Sequence, residues 1–115
     1  MKVQNLKVWQ STRKLTKEIY KITKDFPENE QFGLSSQIRR ATISIMSNIA
    51  EGYDRASKKE FIQFLTIARG SVTEVQTQLV ISNDVGYIDD SDYKRMFNQT
   101  IEIHKMINGL IKSLQ

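Results

Sequence analysis

The chain has no cysteine, a single proline and a single histidine among its 115 residues. Without cysteine there are no disulfides, thiolate metal sites, iron–sulfur clusters or cysteine nucleophiles. One proline and five glycines leave little material for the many turns of an all-β fold, so the composition favours a few long helices. No apolar run approaches the ~18 residues that cross a bilayer. The opening residues, MKVQNLKVWQ, lack the apolar core of a signal peptide. These absences set the expectation of a cytoplasmic protein with no membrane association. A chain of this length fits one domain, residues 1–115, with enough buried surface for a core that needs no covalent staple. The hydrophobic share of 39% argues against disorder, although the mean hydropathy is polar.

What the chain has in excess is positive charge, and it is unevenly placed. The net charge is +4 and the isoelectric point about 9.4. Residues 1–24 contain Lys2, Lys7, Arg13, Lys14, Lys17, Lys21 and Lys24 against one acid, Glu18. Such a field attracts nucleic acid, an anionic surface or an acidic protein.

Four helical periodicities follow one another. Val8, Thr12, Leu15, Ile19, Ile22 and Phe26 alternate spacings of four and three, predicting a first helix from about Leu6 to Asp25 that Pro27 ends. In that register Lys7, Lys14 and Lys21 share one position and Lys17 and Lys24 another, both away from the apolar seam. A second helix begins at Leu34 or Ser35 and carries Leu34, Ile38, Ala41, Ile45 and Ile49, widened by Ile43, Met46 and Ala50. So broad an apolar arc predicts burial against more than one neighbour, inside the bundle or across a subunit interface, and Gly52 is expected to stop the helix. Ser57-Lys58-Lys59-Glu60 has the spacing of a capping box and starts a third helix. Its seam is Phe61, Leu65, Ala68, Val72, Val75 and Leu79, with Phe64 and Ile67 alongside, and Gly86 closes it. Gly70, inside this helix, is expected to admit another helix closely. Asp89, Asp90 and Asp92 predict the start of a fourth helix, with Tyr93, Met96, Thr100, Ile103, Ile107, Leu110 and Leu114 as its seam. With connectors of about six to eight residues, the pattern predicts an all-α, antiparallel, up-down-up-down four-helix bundle.

Several runs together resemble a bacterial family, the 23S rRNA intervening-sequence proteins. They are Leu6-Lys7-Val8-Trp9-Gln10, Ser36-Gln37-Ile38-Arg39-Arg40-Ala41, Ser47-Asn48-Ile49-Ala50-Glu51-Gly52, Phe64-Leu65-Thr66-Ile67-Ala68-Arg69-Gly70-Ser71 and Gly86-Tyr87-Ile88. The resemblance spans nearly the whole chain and implies a four-helix bundle that assembles as a ring-shaped homopentamer. A more distant likeness, to the accessory proteins of diversity-generating retroelements, implies contact with nucleic acid and a reverse transcriptase. The family offers no catalytic residues to carry over. Two departures stand out: Met46 where many members have proline, predicting a straighter second helix, and Asp54 where glycine is frequent.

No catalytic constellation appears. His104 sits one position off the fourth seam, a boundary site, and the Glu-x-x-His pairs of a di-iron bundle are missing, as are phosphate-binding glycine loops. The expectation is a non-enzymatic protein with no metal and no cofactor. Arg39, Arg40, Asn48, Glu51, Arg69 and Glu74, with Arg55 and Glu60, could line a pocket, but structural pairing is the simpler reading, because unpaired burial costs several kcal/mol. Trp9 among cations could stack on a base, although a bundle-edge role suits it better. The candidate nucleic-acid contacts are therefore Lys7, Arg13, Lys14, Lys17, Lys21 and Lys24, on a homo-oligomer whose repeated patches add avidity. The alternative is a scaffold that recruits a partner protein without touching nucleic acid.

Overall fold

A computed structural model describes residues 2–115. Four helices follow in order: α1 (Lys7–Thr23), α2 (Leu34–Tyr53), α3 (Lys58–Asp84) and α4 (Asp90–Leu114). Single 3-10 turns occupy Val3–Asn5 and Glu28–Glu30, and no strand occurs among the described residues. Each helix packs on its neighbours in sequence and α1 closes the ring against α4, giving a four-helix bundle of 43 × 24 × 20 Å. The α2–α3 pair is the most closely engaged, and α1 is the least embedded helix.

The predicted seams form the core. Leu15 and Ile19 of α1, Ile45 and Ile49 of α2, Leu65, Val72 and Val75 of α3, and Met96, Ile103 and Ile107 of α4 are fully buried. Each such side chain contributes about 1.5–3 kcal/mol over leaving it in water. The polar members of the seams are satisfied locally. Thr12 donates to the Val8 carbonyl at 2.8 Å, Thr23 to that of Ile19 at 2.7 Å and Ser82 to that of Gln78 at 2.7 Å. Burying these hydroxyls therefore carries no desolvation penalty for an unmade bond.

The helix ends follow the capping signals with instructive differences. At α3, Ser57 Oγ accepts from the Glu60 amide at 3.1 Å, and the Glu60 carboxylate takes the Ser57 hydroxyl at 3.3 Å instead of reaching the Ser57 amide. Asp89 Oδ1 accepts from the Asp92 amide at 2.7 Å and starts α4. The N-cap of α2 is Gly33, which has no side chain to offer. Glu30 substitutes, its Oε1 accepting from the Leu34 amide at 3.1 Å. Gly86 adopts φ 81°, the left-handed conformation that lets the chain leave α3. Helix α1 is shorter than its periodicity suggests, because the backbone tightens into i to i+3 bonds at Asp25 and Phe26. The connectors also depart from six to eight residues: 24–33 is longer, 54–57 shorter. α2 runs unbroken through Met46, whose Sδ accepts from Thr16 at 3.4 Å.

Two glycines depart from their expected roles. Gly52 does not stop α2, which continues to Tyr53. It is buried, and a Cβ there would lie 2.7 Å from Phe64 Cβ and 2.9 Å from Phe61 Cδ1, so Gly52 is where α3 crosses close to α2. Gly70 admits no helix of its own chain: nothing lies within 4 Å of where its Cβ would be. Likewise Ile67, placed beside the α3 seam by periodicity, is 53% exposed, and Ile43 of α2 is 42% exposed.

Candidate nucleic-acid interface

Hydrophobic spacing fixes the rotation of α1. With Val8, Thr12, Leu15 and Ile19 turned inward, the helix geometry turns Lys7, Arg13, Lys14, Lys17, Lys21 and Lys24 outward, and all six are exposed. Among the described residues none of these six makes an ion pair. The lone acid of the helix, Glu18, borders the stripe beside Lys14 and Lys21, with its carboxylate held by α4. Its Oε1 receives Arg95 Nε at 3.1 Å, and its Oε2 receives the amide of Gln99. Asp92 holds Arg95 from the other side at 2.7 Å, and Asp92 followed by Glu18 raises the Arg95 pKa above its ordinary value. The one acid within the helix is thus occupied in joining α1 to α4, while Asp25, just past the helix end, is exposed and shares a neighbouring hollow with Lys21.

Gln10 Nε2 donates to the Gln4 carbonyl at 2.8 Å, tying the Val3–Asn5 turn to the start of α1. A hollow of about 650 Å³ lies here, lined by Gln4, Gln10, Arg13, Lys14, Lys17, Glu18 and Lys21. Its walls are side chains of α1 and of the turn before it. It is an open charged surface, suited to a phosphate backbone more than to an enclosed small molecule. Trp9 is half-buried and packed against the core, which spends much of its ring on the bundle edge.

The polar residues of α2 and α3 do not converge. Arg39 reaches back to α1, donating to Thr23 Oγ1 at 2.7 Å and lying 4.7 Å over the Tyr20 ring. Arg40, next in sequence, points outward and is exposed. Asn48 donates to the Ser44 carbonyl at 2.8 Å, Glu51 pairs with Arg55 one turn on at 3.1 Å, and Arg69 donates to Asn108 of α4 at 2.9 Å. Glu74 is exposed, with no ion pair among the described residues. Arg39 and Arg69 each join two helices, Asn48 and Glu51 bond locally, and the six form no common pocket. His104 is half-buried, its Nδ1 3.2 Å from Asn108 Nδ2. No group of three potential metal ligands occurs among the described residues, and no helix is long and apolar enough to cross a membrane.

Sequence reasoning missed Phe32 and Glu30. In the connector PENEQFG, a loop with two acids and rich in turn formers, Phe32 is 90% exposed and Glu30 ties two loops together. An aromatic in a loop of turn formers was the available signal for Phe32.

No curated protein matches the chain. A crystal structure of a protein of unknown function from the S23 ribosomal protein family of Bacteroides thetaiotaomicron superposes with a TM-score of 0.82. It shares 30% sequence identity and covers 91% of this chain and 98% of its own. The family model described as 23S rRNA-intervening sequence protein matches residues 4–109, and the chain belongs to that family.

Proposed function

We propose that this protein is a non-enzymatic, cytoplasmic, homo-oligomeric bundle that binds RNA or DNA through the outer face of α1. The supporting observation is the set of six exposed cations along the outer face of α1, where the one acid within the helix, Glu18, is engaged by Arg95. A stripe of this kind contacts phosphates, so the binding tolerates sequence and weakens steeply with salt. One patch on a chain of net charge +4 is a weak binder. Repetition around an oligomer, pentameric if the family resemblance extends to assembly, raises the effective concentration of patches. Light scattering measures the assembly, and a titration with structured RNA at near-physiological salt measures the binding. Converting Lys14, Lys17 and Lys21 to Glu should weaken binding strongly at that salt while leaving the helical signal intact. Undetectable binding by the unaltered protein, or binding indifferent to those changes, refutes the reading.

The alternative is a protein-interaction scaffold in which the apolar flank of α2 and the basic face recruit a partner. The partial exposure of Ile43 beside half-buried Met46 and Ala50 favours it. A partner complex that survives nuclease treatment and depends on Ile43 would support it.

A further inference from the structure

Helix α1 is built and held differently from the other three. Its N-cap is Leu6, which offers no side-chain acceptor, and its first turn holds Lys7 and no acid. Glu30, Ser57 and Asp89, by contrast, each supply an oxygen to the first turn of α2, α3 and α4. Along the outer face of α1 like charges lie three and four residues apart, at Arg13–Lys17, Lys14–Lys17, Lys17–Lys21 and Lys21–Lys24, a spacing that opposes the helix. Two of its five buried residues are threonines. Thr12, Thr16 and Thr23 each donate to the carbonyl four residues back, a bond that slightly destabilises and bends a helix.

The attachments of α1 are correspondingly slight. Leu15 and Ile19 are fully buried, yet α1 is the least embedded of the four helices. Its polar links to α4 are the Glu18–Arg95 pair, in which the arginine side chain is 49% exposed, and the Glu18 bond to Gln99, whose Oε1 is buried with no partner. The α2–α3 side is closed by Gly52 against Phe64 and Phe61 and by the Ser44–Ser71 hydrogen bond at 2.8 Å. The connector after α1, residues 24–33, is the longest between the helices.

We infer that α1 is a strap that releases as one unit from a core of α2, α3 and α4 while that core stays folded. Local opening of this kind falls on the element with the fewest buried apolar contacts. Release undoes the helical spacing that aligns the cations, and so regulates the face proposed above. That consequence rests on the nucleic-acid reading, whereas the release itself does not. The test contains no nucleic acid, so the two fail separately.

Native-state hydrogen exchange of the full chain, followed by NMR through a series of sub-denaturing urea concentrations, reads the release. Amides of residues 12–22 should exchange at least tenfold faster than those of residues 68–80, with one shared urea dependence shallower than that of α3. Gly52→Ala and Ser57→Ala weaken contacts that the open form keeps, so each should quicken α3 exchange several-fold and leave α1 exchange unchanged. Glu18→Ala removes contacts that the open form lacks, so it should quicken both helices by the same factor. Gly52→Ala crowds Phe64, and Ser57→Ala keeps the test decisive if that variant fails to fold. The inference is overturned if α1 and α3 exchange at one rate with one urea dependence, if Ser57→Ala quickens α1 as much as α3, or if Glu18→Ala leaves α1 exchange unchanged.

Discussion

The Tyr87 hydroxyl donates to Glu30 Oε2 at 2.8 Å, while Glu30 Oε1 accepts the Leu34 amide at 3.1 Å. One carboxylate thus caps α2 and joins the first and third connectors, and Phe26 packs its ring 5.2 Å from that of Tyr87. The hydrogen bond to Glu30, then burial and the Glu30 charge, raise the Tyr87 pKa above its ordinary value of 10.0. A raised tyrosine pKa means that the folded state favours the protonated phenol. Its contribution is complete below pH 10 and is lost as pH rises through the folded-state value. Tyr87→Phe should therefore lower the melting temperature at neutral pH, with the difference from the parent shrinking above pH 10. A difference independent of pH across that window would contradict the assignment.

The two internal glycines predict opposite outcomes for the same change. Gly52→Ala pushes a methyl into Phe64 and Phe61 and should destabilise the fold by about 1–3 kcal/mol. Gly70→Ala meets open space in a helix interior and should stabilise by up to about 1 kcal/mol. Urea unfolding midpoints of the two variants, measured beside the parent, decide both signs.

Helix α3 depends on its cap because the connector before it is only four residues long. Ser57→Ala removes the acceptor for the Glu60 amide and should cost about 0.5–2 kcal/mol. Ser57→Asp should retain most of the stability, since a carboxylate can accept the same bond and suits the positive end of the helix. Thermal melts of both variants check it, and equal losses would contradict the cap.

The sequence carried the fold through periodicity. The positions Leu15, Ile19, Ile45, Leu65, Val72 and Ile103 lie on the predicted seams and are buried. The caps were legible for the same local reason, since Ser57 and Asp89 act within three residues of themselves. The roles of Gly52 and Gly70 were not, because close approach depends on where a second helix crosses, a relation between residues that sequence spacing leaves open. For the polar residues around Arg39 and Arg40, structural pairing was the simpler reading, but which partner each meets was not legible. Adjacent residues on a helix point about 100° apart, so one arginine meets α1 and the other meets water. The basic stripe of α1 was readable from spacing alone, but the pairing of Glu18 with Arg95 needed the packing of α4, far away in sequence.

The Glu18–Arg95 pairing makes Glu18 a quantitative control. Arg95→Ala frees Glu18 from its partner beside the α1 cations and should weaken RNA binding several-fold, and adding Glu18→Gln to it should restore part of the loss. Equal affinity of parent and Arg95→Ala would show that Glu18 has no influence on the surface.

The most direct measurement is the salt dependence of RNA affinity for the parent and for the combined Lys14→Glu, Lys17→Glu and Lys21→Glu variant. Each lost phosphate contact reduces the slope of log K against log salt by roughly 0.7–0.9. The account predicts a steep parent slope that falls by about 2 in the variant at unchanged helical content. No measurable affinity in the parent, or the same slope in both proteins, would contradict it.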